Sequence, residues 1–166
     1  MKQFDWEGVM PAITTQFDKN GVLVLKAFRN NLSNQIKAGV HGIILGGTLG
    51  EASTLKDLEK KELLATTLDE VDGKIPVIMN IAEQATAKAV ELAKELEAEG
   101  ADGLMLLPPM RYKANDQETV SYFSSVASST SLPIMIYNNP VDYKIEVTLD
   151  MFEKLKEHKN ISAVKE

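Results

Sequence analysis

Three short segments carry side chains suited to carbonyl chemistry. Lys165 follows an apolar run, Ile161 to Val164, that reads as a β-strand. A lysine amine attacks a ketone only when neutral, and apolar surroundings favour that state by penalising the charged form. Tyr137 closes a second such run and is followed by Asn138-Asn139-Pro140. A phenol at a strand end can relay protons to and from a substrate carbon or oxygen. The third segment, GGTLGEASTL at residues 46–55, follows another apolar run. Its glycines permit tight backbone geometry, and the turn is expected to lead straight into a helix whose amides can hold a carboxylate. Thr48 adds a hydroxyl, and Glu51 a carboxylate that anchors the loop. Taken singly, these are a solvated lysine, an aromatic plug and a glycine-rich connection. Their shared place at the ends of strands is what points to chemistry.

The strands expected to position them are Val9 to Ile13, Gly42 to Leu45, Pro76 to Met79, Gly103 to Leu107, Pro133 to Tyr137 and Ile161 to Val164. Each is a continuous apolar run, the pattern of parallel strands covered on both faces. Amphipathic stretches of helical period separate them. Helix starts are marked by Thr54 with Asp57, by Asn115 with Glu118, and by Thr148 with Asp150; Gly39 and Gly100 mark helix ends. Gly39-Val-His-Gly-Ile-Ile-Leu45 is echoed by Gly100-Ala-Asp-Gly-Leu-Met-Leu106, and Ile75-Pro-Val-Ile-Met-Asn80 by Leu132-Pro-Ile-Met-Ile-Tyr-Asn138. The repeating strand-plus-helix unit implies an α/β fold, either a (β/α)8 barrel or a doubly wound open sheet. No Gly-rich dinucleotide or phosphate-loop motif follows the first strand, which disfavours the open sheet. In both folds ligands bind at the C-terminal ends of the strands.

Composition narrows the function classes. The net charge of -6 argues against a nucleic-acid surface and a polybasic membrane anchor, and the absence of cysteine removes disulfides and thiolate metal sites. The opening MKQFDWEGVM lacks the apolar core of a signal peptide, and no apolar run reaches the roughly 20 residues of a spanning helix. A soluble, cytoplasmic protein is expected. His41, in the turn before a strand, and His158, near the end of a charged helix, read as structural or solvated. Neither has a partner at metal-ligand spacing, so no metal site is expected. Glu83 at a strand end is placed either toward the ligand or on the surface. The charged faces of Lys56 to Glu70 and Lys88 to Glu99 read as solvated.

The segments GTLGE, YNNP and VKE, with the opening MPAITTQFD and Leu107-Pro108-Pro109, together resemble the dihydrodipicolinate synthase and N-acetylneuraminate lyase family, in order and spacing, from Gly8 to Glu166. The resemblance implies a TIM (β/α)8 barrel, mostly homotetrameric, that works without metal or organic cofactor. Its members form a Schiff base between a strand-end lysine and pyruvate or a related 2-keto acid. By position, Lys165 matches that lysine, Tyr137 the proton-relay tyrosine, and Thr48 the first threonine of the family's Gly-Thr-Thr-Gly-Glu loop. The substrate's carboxylate would lie against Gly47, Thr48 and Leu49.

Three departures bear on the reaction. The loop's second threonine is Leu49; Pro108-Pro109-Met110-Arg111-Tyr112 stands where synthases carry a tyrosine pair; and Asp142 replaces the arginine that binds the second substrate's carboxylate in synthases. An acid there repels a carboxylate. The departures favour another keto acid, or a hydroxyproline-derived pyrroline carboxylate acted on by a deaminase or dehydratase, over 4-hydroxy-tetrahydrodipicolinate synthase proper. A complete barrel takes about 250 residues. The 166 residues here are therefore expected to form a single partial barrel domain, about its first six strands, incomplete at the C-terminus. An inactive barrel fragment and a small-molecule binding module are the readings from other classes.

Overall fold

The structure, a computed structural model, describes residues 5–166; the first four residues of the opening segment lie outside them. Helices and parallel strands alternate: α1 (Leu25–Lys37), β1 (Ile43–Leu45), α2 (Asp57–Val71), β2 (Val77–Ile81), α3 (Thr86–Ala98), β3 (Gly103–Leu106), α4 (Asp116–Ala127), β4 (Ile134–Tyr137), a short α5 (Pro140–Tyr143), α6 (Leu149–Leu155) and β5 (Ile161–Lys165). This is the expected parallel α/β class. Two compact units are distinguished: one reaches Asn80 and includes Gly100–Asp102, the other comprises Ile81–Glu99 and Gly103–Glu166. No helix among the described residues is long and apolar enough to cross a membrane.

In the first unit β1 and β2 pair in parallel, Ile43 with Val77 through Leu45 with Met79, and every residue of both strands is buried. Phe28 and Leu32 of α1 and Leu63, Leu64 and Val71 of α2 are buried in the same unit. Arg29 of α1 bonds Asp69 at 2.8 Å and Glu70 at 2.9 Å, and the Ser33 hydroxyl donates to Glu70. That end of the charged face of α2 is therefore a helix-to-helix contact, where a solvated face was expected.

The expected strand Val9 to Ile13 is reduced to one parallel bridge, Ala12 to Ile44. Pro11 has no N–H to donate, although its carbonyl still accepts from Ile44 at 3.0 Å. Helix α2 begins at Asp57 behind Lys56, whose N–H the Glu59 carboxylate accepts at 2.8 Å, and not at Thr54. Thr54 instead donates its hydroxyl to the Glu51 carbonyl, 2.9 Å away. The Asn115–Glu118 capping box and the Thr148 cap form as expected. Gly39 and Gly100 follow α1 and α3 at φ 83° and 96°, left-handed turns that suit glycine.

The sequence echo has a hydrogen-bonding counterpart. His41 donates its N–H to the Val9 carbonyl at 2.8 Å and accepts the Val9 N–H on Nδ1 at 3.0 Å. In the next repeat Asp102 donates to the Val77 carbonyl and accepts the Val77 N–H on its carboxylate, both at 2.9 Å. An imidazole and a carboxylate thus close the same two-bond ring, which gives His41 its structural role.

In the second unit β3, β4 and β5 run parallel, and all of β3 is buried. β4 and β5 depart from the expected two-sided burial: only alternate residues of β4 are buried, and alternate residues of β5 are exposed. Buried Tyr122 of α4 donates to the Glu83 carbonyl at 3.0 Å; burial, and then the nearby Glu83 charge, pushes its phenol up. Glu83 lies beyond β2, serving here through its backbone.

Glu97 of α3 accepts from the Ser131 hydroxyl, from the Ser131 N–H at 3.1 Å and from the Thr130 hydroxyl at 2.8 Å, so it too does more than solvate its helix. The Ser131 hydroxyl chiefly, then Thr130 and the Ser131 amide, hold its carboxyl below the usual range against partial burial. A depressed native pKa contributes stability above the unfolded value of about 4.3 that is lost as pH falls through the native one. Denaturation between about pH 6 and about pH 3 should therefore show a smaller acid loss of stability for Glu97→Gln than for the parent. Identical pH dependence in the two proteins would show that these bonds do not act on the Glu97 charge.

Candidate active site

The lysine and the tyrosine come together through the ladder between β4 and β5. Ile134 pairs with Ile161, but Met135 pairs with Ala163, because a bulge absorbs one residue between them. Straight pairing from Ile161 would set Val164 opposite Tyr137; the bulge sets Lys165 there. The Lys165 ammonium lies 3.9 Å from the centroid of the Tyr137 ring, within range of a cation–π attraction. Tyr143 of α5 packs edge-on against the same ring, with centroids 5.4 Å apart. Tyr137 and Lys165 are both half-buried, neither sealed in an apolar interior nor fully solvated.

The turn after β4 is fixed by asparagines. Asn138, 6% exposed, donates its N–H to the Lys165 carbonyl at 2.8 Å. Its side chain accepts the Val147 N–H at 2.9 Å, donates to the Val147 carbonyl at 3.3 Å and reaches the Glu166 carboxylate at 3.0 Å. Asn139 caps α5, and its amide donates to the Asp142 carboxylate at 2.7 Å and to the Tyr137 hydroxyl at 3.4 Å. Asp142 is therefore hydrogen-bonded within the turn and exposed beside it. Arg111 and Tyr112 are exposed; the Tyr112 hydroxyl donates to Glu118 at 3.4 Å.

The glycine-rich loop belongs to the first unit. Gly46 turns at φ 63°, and its carbonyl accepts from the Asn80 amide at 2.7 Å. Residues Thr48–Gly50 form a single 3-10 turn, with Gly47 buried and Thr48 and Leu49 exposed. The loop does not run straight into α2: Glu51 adopts the left-handed conformation at φ 58°, and a further turn intervenes before Asp57. Glu51 thus acts through its backbone, its N–H donating to Thr48 and its carbonyl accepting from Thr54. The anchors are Asn80 and Thr15, whose hydroxyl donates to the Gly50 carbonyl at 2.7 Å. At Gly50 an added Cβ would stand 3.0 Å from the Ile13 carbonyl, so the loop needs glycine there to pack closely.

Of the predicted site residues, Lys165 and Tyr137 are in contact. Gly47, Thr48 and Leu49 form a separate turn at the end of β1. The reading of single residues missed Asn80, Thr15, Asn138 and Asn139. Among the described residues His158 contributes backbone bonds, accepting from Ile161 at 2.9 Å and donating to Leu155 at 3.0 Å.

The dihydrodipicolinate synthetase family model matches residues 5–166. A 4-hydroxy-tetrahydrodipicolinate synthase of Bartonella quintana is 35% identical over 164 residues, covering 96% of this chain and 55% of its own. The 4-hydroxy-tetrahydrodipicolinate synthase of Methylacidiphilum fumariolicum superposes with a TM-score of 0.93 at 35% identity, over 98% of this chain and 54% of that one. A prophage protein of Escherichia coli K12 belonging to the dihydrodipicolinic acid synthase family, solved in complex with pyruvate, gives 0.91 at 30% identity over 97% and 54%. The chain thus spans about half the length of the relatives it matches.

Replacing Asn138 with alanine leaves buried Val147 groups without partners and should cost about 2 kcal/mol in urea unfolding, with faster amide exchange at Val147. An unchanged unfolding midpoint would show that the asparagine does not pin this turn.

Proposed function

Because the chain belongs to the dihydrodipicolinate synthetase family, we propose that it carries the covalent chemistry of a lyase or aldolase acting on pyruvate or a related 2-keto acid. The observation that supports this best is the pairing of Lys165 with Tyr137 at the ends of adjacent parallel strands. Lys165 adds through its neutral amine to the C2 carbonyl; water leaves, and a protonated imine remains. That cation draws electrons from C3, and loss of a C3 proton gives an enamine that attacks an acceptor. Run in reverse, the same steps cleave the bond. Tyr137 carries protons during imine and enamine formation. Its hydroxyl accepts from Asn139, which leaves the phenolic proton free for donation. The Lys165 amine meets the ring face, so substrate atoms must complete the path between amine and hydroxyl. The family resemblance, by position, assigns the keto acid's carboxylate to Gly47, Thr48 and Leu49.

Asp142 supports a second reading within this class, in which the partner substrate is not the one used by 4-hydroxy-tetrahydrodipicolinate synthases. Its carboxylate, held by Asn139 at the head of α5, repels an acceptor carboxylate. Another keto acid or a pyrroline carboxylate fits it better. The same resemblance supports a partial barrel domain over 1–166 that works in the cytoplasm within a homotetramer and uses no metal or organic cofactor.

Incubation with pyruvate and borohydride, followed by mass spectrometry, should find one reduced adduct, on Lys165, and none in Lys165→Met. Tyr137→Phe should slow trapping by about a hundredfold or more. A folded protein without an adduct would contradict the Schiff-base reading, and an adduct without turnover would identify a binding module or barrel fragment.

A further inference from the structure

Asn139 stands between a proton-relay group and a charge. Its amide nitrogen donates to the Asp142 carboxylate at 2.7 Å and to the Tyr137 hydroxyl at 3.4 Å, and its Oδ1 accepts the Asp142 N–H at 3.3 Å. A side-chain amide can be turned either way about its last bond, presenting nitrogen or oxygen to the phenol. The choice decides what the phenol can do. Against nitrogen, the phenol oxygen accepts and its proton stays available to a substrate; against oxygen, the phenol donates and the amide holds that proton.

Asp142 makes the choice. A carboxylate only accepts, so the reversed amide would set two acceptors against each other at its oxygens and two donors against each other at its N–H. The bond to the carboxylate is short and charge-assisted, roughly twice as strong as a neutral one, whereas the bond to the phenol is long. The phenol therefore follows the amide. Local backbone brings the acid into place: Asn139 caps α5, Pro140 and Val141 open it, and Asp142 is its third residue. An acid there ordinarily reaches back to the backbone N–H of the cap; here its Oδ2 takes the cap's side-chain amide.

We propose that Asp142 is a positioning residue for the proton relay, fixing the Asn139 amide so that Tyr137 keeps a transferable proton. The inference rests on the keto-acid reading. It differs from repulsion of an acceptor's carboxylate because it operates with pyruvate alone, before any acceptor binds.

The test therefore omits the acceptor. Exchange of the C3 protons of pyruvate in heavy water, followed by proton NMR, reports enamine formation. Asp142→Ala, which removes the carboxylate, and Asn139→Asp, which keeps the helix cap but turns the donor into an acceptor, should each slow the exchange by about tenfold. The half-saturating pyruvate concentration should stay within about twofold of the parent's. In a Tyr137→Phe background neither change should slow exchange further, a non-additivity that loosening of α5 alone would not produce. An unaltered rate in Asp142→Ala, or equal losses with and without the Tyr137 hydroxyl, overturns the proposal. So does a parent that forms the borohydride-trapped Lys165 adduct but exchanges no C3 proton. A parent that forms no adduct contradicts the keto-acid reading itself, and this inference falls with it.

Discussion

The register between β4 and β5 is the constraint on which the candidate chemistry depends. Strand side chains alternate faces, so a slip by one residue would exchange Lys165 for Val164 opposite Tyr137. Two features hold the register. The bulge between the Ile134 and Met135 pairs takes up the extra residue of β5, and the Asn138 N–H closes on the Lys165 carbonyl just beyond the last pair. Asn138 then ties that end to Val147 and Glu166, so the strand tip is held by one buried side chain with few alternatives. Tyr143 and Asn139 restrict the ring and hydroxyl of Tyr137 in turn.

The glycine-rich turn follows a different logic. Its anchors, Asn80 and Thr15, are uncharged and buried, and both bind loop carbonyls. Within the turn the amides of Gly50 and Ala52 close on the Gly47 carbonyl and that of Glu51 on Thr48, so the loop is held by its own backbone as well as by these two side chains. The left-handed Glu51 ends the turn and separates it from α2.

Much of this was legible in the residues. Buried strands show as apolar runs, and Gly39 and Gly100 mark turns that need positive φ. The Asn115–Glu118 and Thr148 caps are local patterns, visible because donor and acceptor lie within a few residues. Lys165 and Tyr137 were legible from their place at strand ends. What stayed hidden depends on contacts distant in sequence or on competition between local preferences. Pro11 reduced an apolar run to a bridge, because a missing N–H matters only where a ladder needs it. The turn at Glu51 displaced the start of α2 from Thr54 to Asp57. Glu97 and Glu70 looked solvated because their partners, Ser131 and Ser33, lie on other segments. The bonds of Asn80 and Thr15 cross 34 and 35 residues, with no local signature at either end.

The central claim is that the β4–β5 register makes Lys165 the covalent group with Tyr137 as its proton relay. A crystal structure of the chain reduced with borohydride in pyruvate tests it most directly. The account predicts electron density continuous from the Lys165 Nζ into the former C2 of pyruvate, with the Tyr137 hydroxyl within hydrogen-bond reach of the adduct. Modification at another lysine, or an adduct on Lys165 with Tyr137 turned away from it, would contradict the account.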